Sequence, residues 1–207
     1  MTIDEIMRMA PVIPVLVIGS GVDPAALAET LVAAGLPVIE VTLRTPQALS
    51  AIEAMARVEG AIVGAGTVLD EAMLGEAIDA GARFIVSPGL TEPLGKAAID
   101  SGVPYLPGVA NAGDIMRGLD LGLIRFKFFP AEASGGLAAL KSLAGPFGDV
   151  RFCPTGGIGE GNAADWLAHP AVLCVGGSWI VKAGETDLAA IGARARAAAQ
   201  LARPSSG

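Results

Sequence analysis

The sequence predicts an α/β fold of the (β/α)8 barrel type, formed by a single domain over residues 1–207. Short runs rich in branched and aromatic residues alternate with Ala-rich helical stretches about every 20 to 25 residues, as in repeated βα units. The composition combines 52% hydrophobic residues with only 17% charged residues and 28 glycines, which is typical of a buried parallel sheet surrounded by helices. A chain of this length can form one large core but not two.

Eight runs have the length and composition of strands. They are residues 12–18, 38–43, 62–65, 84–87, 105–107, 124–128, 151–154 and 172–175. An open doubly wound sheet is the alternative, but the first βα turn, residues 19–23, lacks the full G-x-G-x-x-G spacing of such folds. Eight βα units therefore favour a TIM barrel at the small end of its usual size.

Residues that start and stop helices mark the segments between these strands. Predicted starts are Asp23-Pro24, Thr45-Pro46, Thr91-Glu92-Pro93 and Asn111, and predicted stops are Gly35, Gly81, Gly102 and Gly122. Ahead of the first strand, Thr2-Ile3-Asp4-Glu5 matches a capping box. It predicts a short helix over residues 2–10 that closes the bottom of the barrel. Residues 203–207 are predicted to form a flexible tail.

Charge and hydropathy exclude several classes of partner. The net charge is -7 and no cluster of Lys and Arg occurs, so we expect neither nucleic acid nor an anionic membrane as a partner. Apolar runs are short or interrupted by Pro and Gly, and the N-terminus carries Asp4 and Glu5 where a secretion signal would be basic. Cys153 and Cys174 lie in apolar strand-like runs, as reduced core thiols do. These features predict a cytoplasmic protein.

Metal chemistry has little support in the sequence. The only histidine is His169, beside Pro170 in a predicted loop, and the two cysteines lack C-x-x-C spacing. We therefore expect no metal site and no cofactor, and we expect His169 to be a solvated loop residue.

Lys127 is the most informative position, because it stands inside the apolar run Phe126-Lys127-Phe128-Phe129. Burying an ammonium among aromatic rings is costly unless it is paired, and a neutral amine avoids that cost. A neutral amine is a nucleophile suited to forming a Schiff base with a carbonyl substrate. The alternative is that Lys127 reaches solvent at the strand end or simply pairs with an acid.

The second strand sorts its side chains by polarity. Alternation predicts that Glu40, Thr42 and Arg44 face the interior, in order toward the C-terminal end where barrel active sites lie. The opposite face would carry Ile39, Val41 and Leu43. We expect Glu40 to be a general acid/base near Lys127, and Arg44 to bind the carboxylate of an α-keto acid. Thr67 would lie on the neighbouring strand. The alternative to a functional role for Glu40 and Arg44 is an ion pair between them that only fills the barrel.

Two glycine-rich segments follow the seventh and eighth predicted strands. They are Thr155-Gly156-Gly157-Ile158 and Val175-Gly176-Gly177-Ser178. In barrels this pair of loops commonly binds a phosphate group through backbone N–H groups, and Ser178 can add a hydroxyl. The alternative is two tight turns that require positive φ angles.

Several segments together resemble the 2-keto-3-deoxy-6-phosphogluconate (KDPG) and 4-hydroxy-2-oxoglutarate (KHG) aldolase family. They are residues 40–45 (EVTLRT), 64–69 (GAGTVL), 87–91 (SPGLT), 126–132 (FKFFPAE), 151–157 (RFCPTGG) and 174–179 (CVGGSW). The resemblance implies a class I aldolase of the Entner–Doudoroff pathway. Such an enzyme cleaves KDPG to pyruvate and D-glyceraldehyde 3-phosphate without a cofactor, usually as a homotrimer of barrels.

Carried onto this chain, the resemblance makes Lys127 the Schiff-base lysine and Glu40 its acid/base. The contacts to the pyruvate moiety fall on Arg44, Thr67 and Pro88. The contacts to the substrate phosphate fall on Gly156, Gly157, Gly176, Gly177 and Ser178, and Thr155 is expected to be a further substrate-binding residue.

Three rival functions are also compatible with the sequence. The first is the same chemistry on the galactonate epimer of the substrate or on 4-hydroxy-2-oxoglutarate. The second is a phosphate-binding epimerase or isomerase that uses Glu40 as its base. The third is a barrel that only binds a phosphorylated keto acid.

Overall fold

Parallel strands alternate with helices through residues 1–202, the part of the chain that the computed structural model describes. The strands are β1 Val12–Leu16, β2 Val38–Thr42, β3 Ile62–Gly66, β4 Ile85–Val86, β5 Tyr105–Leu106, β6 Gly108–Val109, β7 Arg125–Phe128, β8 Arg151–Pro154 and β9 Val175–Gly177. The helices are α1 Ile3–Arg8, α2 Pro24–Ala33, α3 Ala48–Met55, α4 Glu71–Asp79, α5 Glu92–Asp100, α6 Ala112–Asp120, α7 Gly136–Ala144, α8 Ala163–Leu167 and α9 Leu188–Ala199. The tail predicted at residues 203–207 lies outside the described residues.

The strands follow one another in chain order across the curled sheet. One parallel sheet has the order β5-β4-β3-β2-β1-β9, and a second has the order β6-β7-β8. Isolated parallel bridges also join Phe152 to Val172 and Thr155 to Gly176, between β8 and the segment that contains β9. The predicted α/β class is confirmed. A doubly wound sheet would reverse its strand order at a switch point, and this order does not.

Two of the predicted strands differ from those observed by more than one or two residues at an end. The run at 105–107 is two short strands on either side of Pro107, which has no N–H to donate to a ladder. The strand predicted at 172–175 is instead Val175–Gly177, paired with Val12 to Pro14 of β1. Glycine usually weakens a strand, but at Gly177 an added Cβ would lie 2.4 Å from the Trp179 ring. Close packing therefore requires glycine inside this strand.

One predicted helix start is also displaced. The Thr45-Pro46 pair precedes α3 without capping it, and the helix begins at Ala48. The Thr45 hydroxyl instead donates to the Ile18 carbonyl, at 2.6 Å, and the N-cap position is occupied by Gln47, which forms no side-chain cap. In contrast, Asp23 and Asn111 accept backbone hydrogen bonds at the starts of α2 and α6, as predicted.

Two hydrophobic clusters surround the strands. The larger one lies between strands and helices and includes Ile39 and Val41, as alternation along β2 predicts. The smaller one combines Ile6 and Met7 of α1 with residues at the starts of strands, such as Ile13. Helix α1 therefore closes this end of the interior. Its capping box is formed: the Thr2 side chain accepts from the Glu5 N–H, and Glu5 accepts from the Thr2 N–H.

Asp4 connects α1 to β7 through ion pairs. Its carboxylate accepts hydrogen bonds from Arg8, at 2.7 Å, and from Arg125 at the start of β7. Partial burial raises the pKa of Asp4, but the hydrogen bonds from Arg8 and Arg125 outweigh burial and hold it below its ordinary value. These ion pairs therefore stabilise the fold above the unfolded-state value of 3.8, and the stabilisation is lost as the pH falls through the lower pKa of the folded state.

Replacing Asp4 by Asn is expected to reduce the free energy of unfolding at pH 7 by about 1 kcal/mol, since the pair with Arg125 is partly shielded from water. Urea unfolding measured from pH 7 down to pH 2 should show the difference from the unmodified protein shrinking below pH 4. Glu53→Gln, on the exposed face of α3, is the control and should change little. A deficit of Asp4→Asn that persists unchanged at pH 2 would contradict the ion-pair explanation.

Among residues 1–202, no helix combines the length and the hydropathy needed to cross a bilayer. Cys153 and Cys174 are both buried, and both belong to the smaller hydrophobic cluster, as predicted for core thiols.

Candidate active site

Lys127 and Glu40 meet in the interior although they belong to different sheets. The Lys127 Nζ donates to the Glu40 Oε1 at 3.0 Å. Lys127 is 6% exposed and Glu40 is 3% exposed, so the ion pair is almost completely shielded from water. In register, Glu40 on β2 lies beside Gly64, and Lys127 on β7 lies beside Gly108.

The surroundings of the Lys127–Glu40 ion pair favour a catalytic role for it over a stabilising one. The Phe129 ring lies 5.4 Å from the Lys127 Nζ, and Phe126 and Phe128 are buried on the helix side of β7. Desolvating two charges often outweighs their attraction, so a buried ion pair is weak evidence for stabilisation. An amine and a carboxylate in hydrogen-bond contact can exchange a proton, which leaves a nucleophile and an acid side by side.

Gly66 leaves the space that the Glu40 carboxylate occupies. A Cβ added at Gly66 would lie 2.2 Å from the Glu40 Oε1 and 2.8 Å from its Cδ. A side chain on this residue of β3 would therefore displace the carboxylate from the amine.

Gly66→Ala is expected to lower kcat by about 100-fold, because a shift of about 1 Å in a reacting group has an effect of that size. Steady-state kinetics and thermal unfolding would be measured together. Gly75→Ala is the matched control, since a Cβ at this position of α4 meets nothing within 4 Å. If Gly66→Ala kept the normal kcat, the position of Glu40 would be irrelevant to turnover.

Arg44 and Thr67 lie together just beyond the ends of β2 and β3. The Arg44 Nε donates to the Thr67 Oγ1 at 3.4 Å, and the Leu43 N–H donates to the Gly66 carbonyl at 2.8 Å. Arg44 is exposed, and the predicted alternative of a Glu40–Arg44 ion pair is wrong because Glu40 pairs with Lys127. Thr67 has a φ of 61°, a left-handed conformation that is unusual for a β-branched residue and is found most often at functional sites.

Pro88 lies in a loop that packs against the strand next to β7. A Cβ added at Gly108 would lie 2.1 Å from the Pro88 carbonyl oxygen, so the loop reaches the backbone beside Lys127. Ser87 holds this loop: its hydroxyl donates to the Gly89 carbonyl at 2.6 Å and lies 2.7 Å from the Tyr105 hydroxyl.

Ser87 and Tyr105 were missed by sequence reasoning, although both support the Pro88 loop. Burial raises the pKa of Tyr105 to about 12, so its hydroxyl remains protonated at neutral pH and can donate to Ser87. The available signal was that Tyr105 is the only tyrosine in the chain and stands in a predicted strand.

The two glycine pairs differ in conformation. Gly156 and Gly157 have φ angles of 104° and 77°, so this segment is a turn that requires glycine. Gly176 and Gly177 lie within β9, and the interpretation of that segment as a turn is wrong. The reason is steric, since a Cβ at Gly176 would lie 2.2 Å from the Thr155 Oγ1.

The glycine segments nevertheless lie close to each other at the ends of their strands. Thr155 is buried at the end of β8 and forms a bridge with Gly176. Ser178 is exposed directly after β9. The Gly156 turn lies against Pro130 and Ala131, in the segment that leaves β7. The turn and the end of β9 are therefore on the side of the fold where β7 ends.

His169 lies apart from these residues, in the loop after α8. It is half-buried and not fully solvated, because its Nδ1 accepts a hydrogen bond from the Ala171 N–H at 3.2 Å. Burial lowers the pKa of His169, and the nearby Lys141 lowers it further. In residues 1–202, no group of three or more His, Cys, Asp or Glu side chains could hold a metal ion.

Comparison with known proteins decides the family. The family model described as KDPG and KHG aldolase matches residues 3–194. This chain belongs to the KDPG and KHG aldolase family. It is therefore an aldolase, and neither the epimerase or isomerase nor the barrel that only binds a ligand applies.

Relatives in this aldolase family match nearly the whole chain. The 2-dehydro-3-deoxy-phosphogluconate aldolase of Zymomonas mobilis is 60% identical over 201 residues, which is 97% of each chain. The crystal structure of 2-keto-3-deoxy-6-phospho-gluconate aldolase from Zymomonas mobilis ATCC 29191 has a TM-score of 0.97 and 58% identity, and covers 100% of both chains. A KDPG aldolase from Legionella pneumophila, with pyruvate captured as a covalent carbinolamine intermediate, has a TM-score of 0.93 and 42% identity, covering 96% of this chain and 98% of that one.

Proposed function

We propose that this aldolase cleaves 2-dehydro-3-deoxy-6-phosphogluconate to pyruvate and D-glyceraldehyde 3-phosphate through a Schiff base on Lys127. The observation that carries the proposal is the buried contact of 3.0 Å between the Lys127 Nζ and the Glu40 Oε1. A lysine and a carboxylate in this contact are the two groups that imine chemistry requires.

Imine formation begins within the ion pair. Transfer of a proton from the Lys127 Nζ to the Glu40 carboxylate leaves a neutral amine and a carboxylic acid. The amine nitrogen attacks the C2 carbonyl carbon of the substrate and forms a carbinolamine. Glu40 returns the proton to the C2 hydroxyl, which leaves as water, and the products are a protonated imine and the Glu40 carboxylate.

Cleavage follows from the electron demand of the protonated imine. The C3–C4 bond electrons move toward the imine carbon and generate an enamine, while Glu40 accepts the C4 hydroxyl proton. D-Glyceraldehyde 3-phosphate leaves as the aldehyde. Protonation of the enamine at C3 and attack of water on the resulting imine release pyruvate and free Lys127.

We assign the orientation of the substrate to protein groups that bind its carboxylate end and its phosphate end. The Arg44 guanidinium, held by Thr67, binds the C1 carboxylate, and the Pro88 loop covers the pyruvate moiety beside Lys127. The phosphate group is bound by backbone N–H groups of the Gly156-Gly157 turn and of the chain after Gly177, with Ser178 as a further donor. The positive φ angles of the turn, 104° and 77°, support this assignment because such turns form concave anion sites.

The gluconate-derived substrate is favoured over its galactonate epimer and over 4-hydroxy-2-oxoglutarate. The relative from Zymomonas mobilis, which is 60% identical to this chain, is named for the gluconate-derived compound.

We propose that the two sheets of this enzyme close into one eight-stranded barrel. Three observations support closure of the two sheets. Only Pro107 separates β5 from β6, bridges at Phe152 and Thr155 connect β8 with the β9 segment, and the Lys127–Glu40 contact crosses the interior between sheets. With β5 and β6 counted as one strand interrupted at Pro107, eight parallel strands in chain order meet the geometric requirement of such a barrel.

The enzyme is proposed to act in the cytoplasm as a homotrimer, on small phosphorylated keto acids. Leu69 and Met116, which are 56% and 58% exposed, are large apolar side chains of the kind that subunit interfaces cover. Sedimentation equilibrium would give the assembly mass, and a monomer at micromolar concentration would rule out the trimer.

Borohydride trapping tests the proposed chemistry. Intact-mass spectrometry after incubation with pyruvate and borohydride should show one reduced pyruvyl adduct, and peptide mapping should place it on Lys127. The chain has only three other lysines, Lys96, Lys141 and Lys182, so the peptide assignment is unambiguous. A folded protein that forms no adduct, or an adduct on another lysine, would refute the Lys127 Schiff base.

A further inference from the structure

Glu132 is a charged residue that the proposed mechanism does not use, yet its carboxylate has two specific partners. It lies in the segment that leaves β7, directly after Ala131. Its Oε1 accepts a hydrogen bond from the Trp166 Nε1 at 3.0 Å and another from the Asn162 Nδ2 at 3.1 Å. Both donors belong to α8 and its N-cap, so Glu132 connects the end of β7 with α8.

Hydrogen bonds connect the Gly156-Gly157 turn to both Glu132 and Asn162. The Glu132 N–H donates to the Gly156 carbonyl at 3.1 Å, and a Cβ added at Gly157 would lie 2.6 Å from the Glu132 Cβ. Asn162 contacts the same turn, because its Nδ2 donates to the Gly157 carbonyl at 3.3 Å and its Oδ1 accepts from the Gly159 N–H at 2.8 Å. The turn is therefore hydrogen-bonded both to Glu132 and to Asn162, whose side chain also donates to Glu132.

By its negative charge alone, Glu132 would weaken the binding of a phosphate group at the Gly156-Gly157 turn, because a carboxylate next to an anion site repels the anion. A favourable contribution must come through the hydrogen bonds to Trp166 and Asn162. The sign of the effect of a Glu132 substitution therefore distinguishes the two roles.

We propose that Glu132 is a positioning residue that holds the Gly156-Gly157 turn in the conformation that binds the phosphate group of the substrate. The proposal rests on the proposed function, since it assigns the phosphate to this turn. It predicts that Glu132 acts on binding of phosphorylated substrate and leaves the chemistry at Lys127 unchanged.

Glu132→Ala, Glu132→Gln and Glu160→Ala would be compared on two reactions. The first is cleavage of 2-dehydro-3-deoxy-6-phosphogluconate; the second is exchange of the pyruvate methyl protons in D2O, which needs the imine but involves no phosphate group. Glu132→Ala should raise KM in the first reaction about tenfold or more, as expected for loss of hydrogen bonds to a charged group, with kcat changed less than about threefold. The exchange rate should remain normal.

Two variants serve as controls. Glu132→Gln retains an oxygen acceptor for Trp166 and should restore most of the normal KM. Glu160→Ala removes the same charge from an exposed residue that follows the same turn, and should leave KM unchanged or slightly lower. If Glu132→Ala is too unstable to assay, Trp166→Phe removes one of the donors to Glu132 and should produce a smaller rise in the same KM.

Two results would overturn the proposal. One is a KM of Glu132→Ala that is unchanged or lower, which is the electrostatic outcome. The other is an equal loss in both reactions, which would make Glu132 a general structural residue. Failure of the proposed function is recognised separately, because the unmodified protein would then show neither substrate cleavage nor pyruvate proton exchange.

Discussion

Replacing Lys127 by Ala is expected to lower kcat/KM for 2-dehydro-3-deoxy-6-phosphogluconate by at least about 10⁴-fold, because it removes the amine that we propose forms the imine. The same substitution leaves the Glu40 carboxylate buried without its partner, since Lys127 is the residue that donates to it, at 3.0 Å. Loss of one member of a buried ion pair reduces stability by about 3 to 5 kcal/mol. Activity would be assayed by coupling pyruvate release to NADH oxidation, and thermal unfolding would be followed in parallel.

Lys127→Arg separates the chemical effect from the structural one. Arginine keeps a positive charge for Glu40 but is not deprotonated in proteins, so it cannot act as the nucleophile. We expect Lys127→Arg to be as inactive as Lys127→Ala while losing less stability. Lys96→Ala, an exposed position on α5, should retain full activity. Turnover within tenfold of normal in either Lys127 variant would exclude the Schiff-base mechanism at this residue.

Glu40→Gln is expected to reduce kcat by about 10² to 10⁴-fold, which is the usual contribution of general acid/base catalysis. The amide oxygen of glutamine can still accept the hydrogen bond from Lys127, but the side chain cannot accept a proton. The pyruvate adduct should therefore still form on Lys127, more slowly, while cleavage and pyruvate proton exchange are nearly lost. Borohydride trapping over time and proton exchange in D2O would measure the two effects separately.

Comparison of Glu40→Gln with Gly66→Ala tests whether position matters as well as chemistry. Gly66→Ala retains the carboxylate but displaces it, since a Cβ there would lie 2.2 Å from the Glu40 Oε1. Both variants should therefore lose turnover while their fold is retained. A Glu40→Gln variant with kcat within threefold of normal would assign the proton transfers to another group.

Much of the architecture could be predicted because it depends on local sequence. The capping box of α1 and the side-chain caps at Asp23 and Asn111 involve residues two or three positions apart, and all of them form. Alternation along β2 correctly separated Glu40 from Ile39 and Val41, because successive side chains of a strand point to opposite faces.

Local sequence patterns do not predict the backbone conformation where contacts from distant parts of the chain determine it. Gly176 and Gly177 read as a turn, because glycine usually interrupts strands, but both lie in β9. The deciding contacts are with Thr155 and Trp179, which leave no room for a Cβ. Gly156 and Gly157 have the same composition and do form a turn, with positive φ angles. The two pairs can be told apart only by what the fold places against them.

The sequence by itself determined which residue types this protein brings to its chemistry: a lysine among aromatic residues, a carboxylate on an inward face and glycine-rich segments after two strands. Only the tertiary structure decided that Glu40 pairs with Lys127 and not with Arg44, and that Glu132 joins Trp166 and Asn162 beside the Gly156 turn. The physical reason is that these partners belong to different strands and helices. Their contacts arise when the sheets and helices pack together, and short-range periodicity carries no information about them.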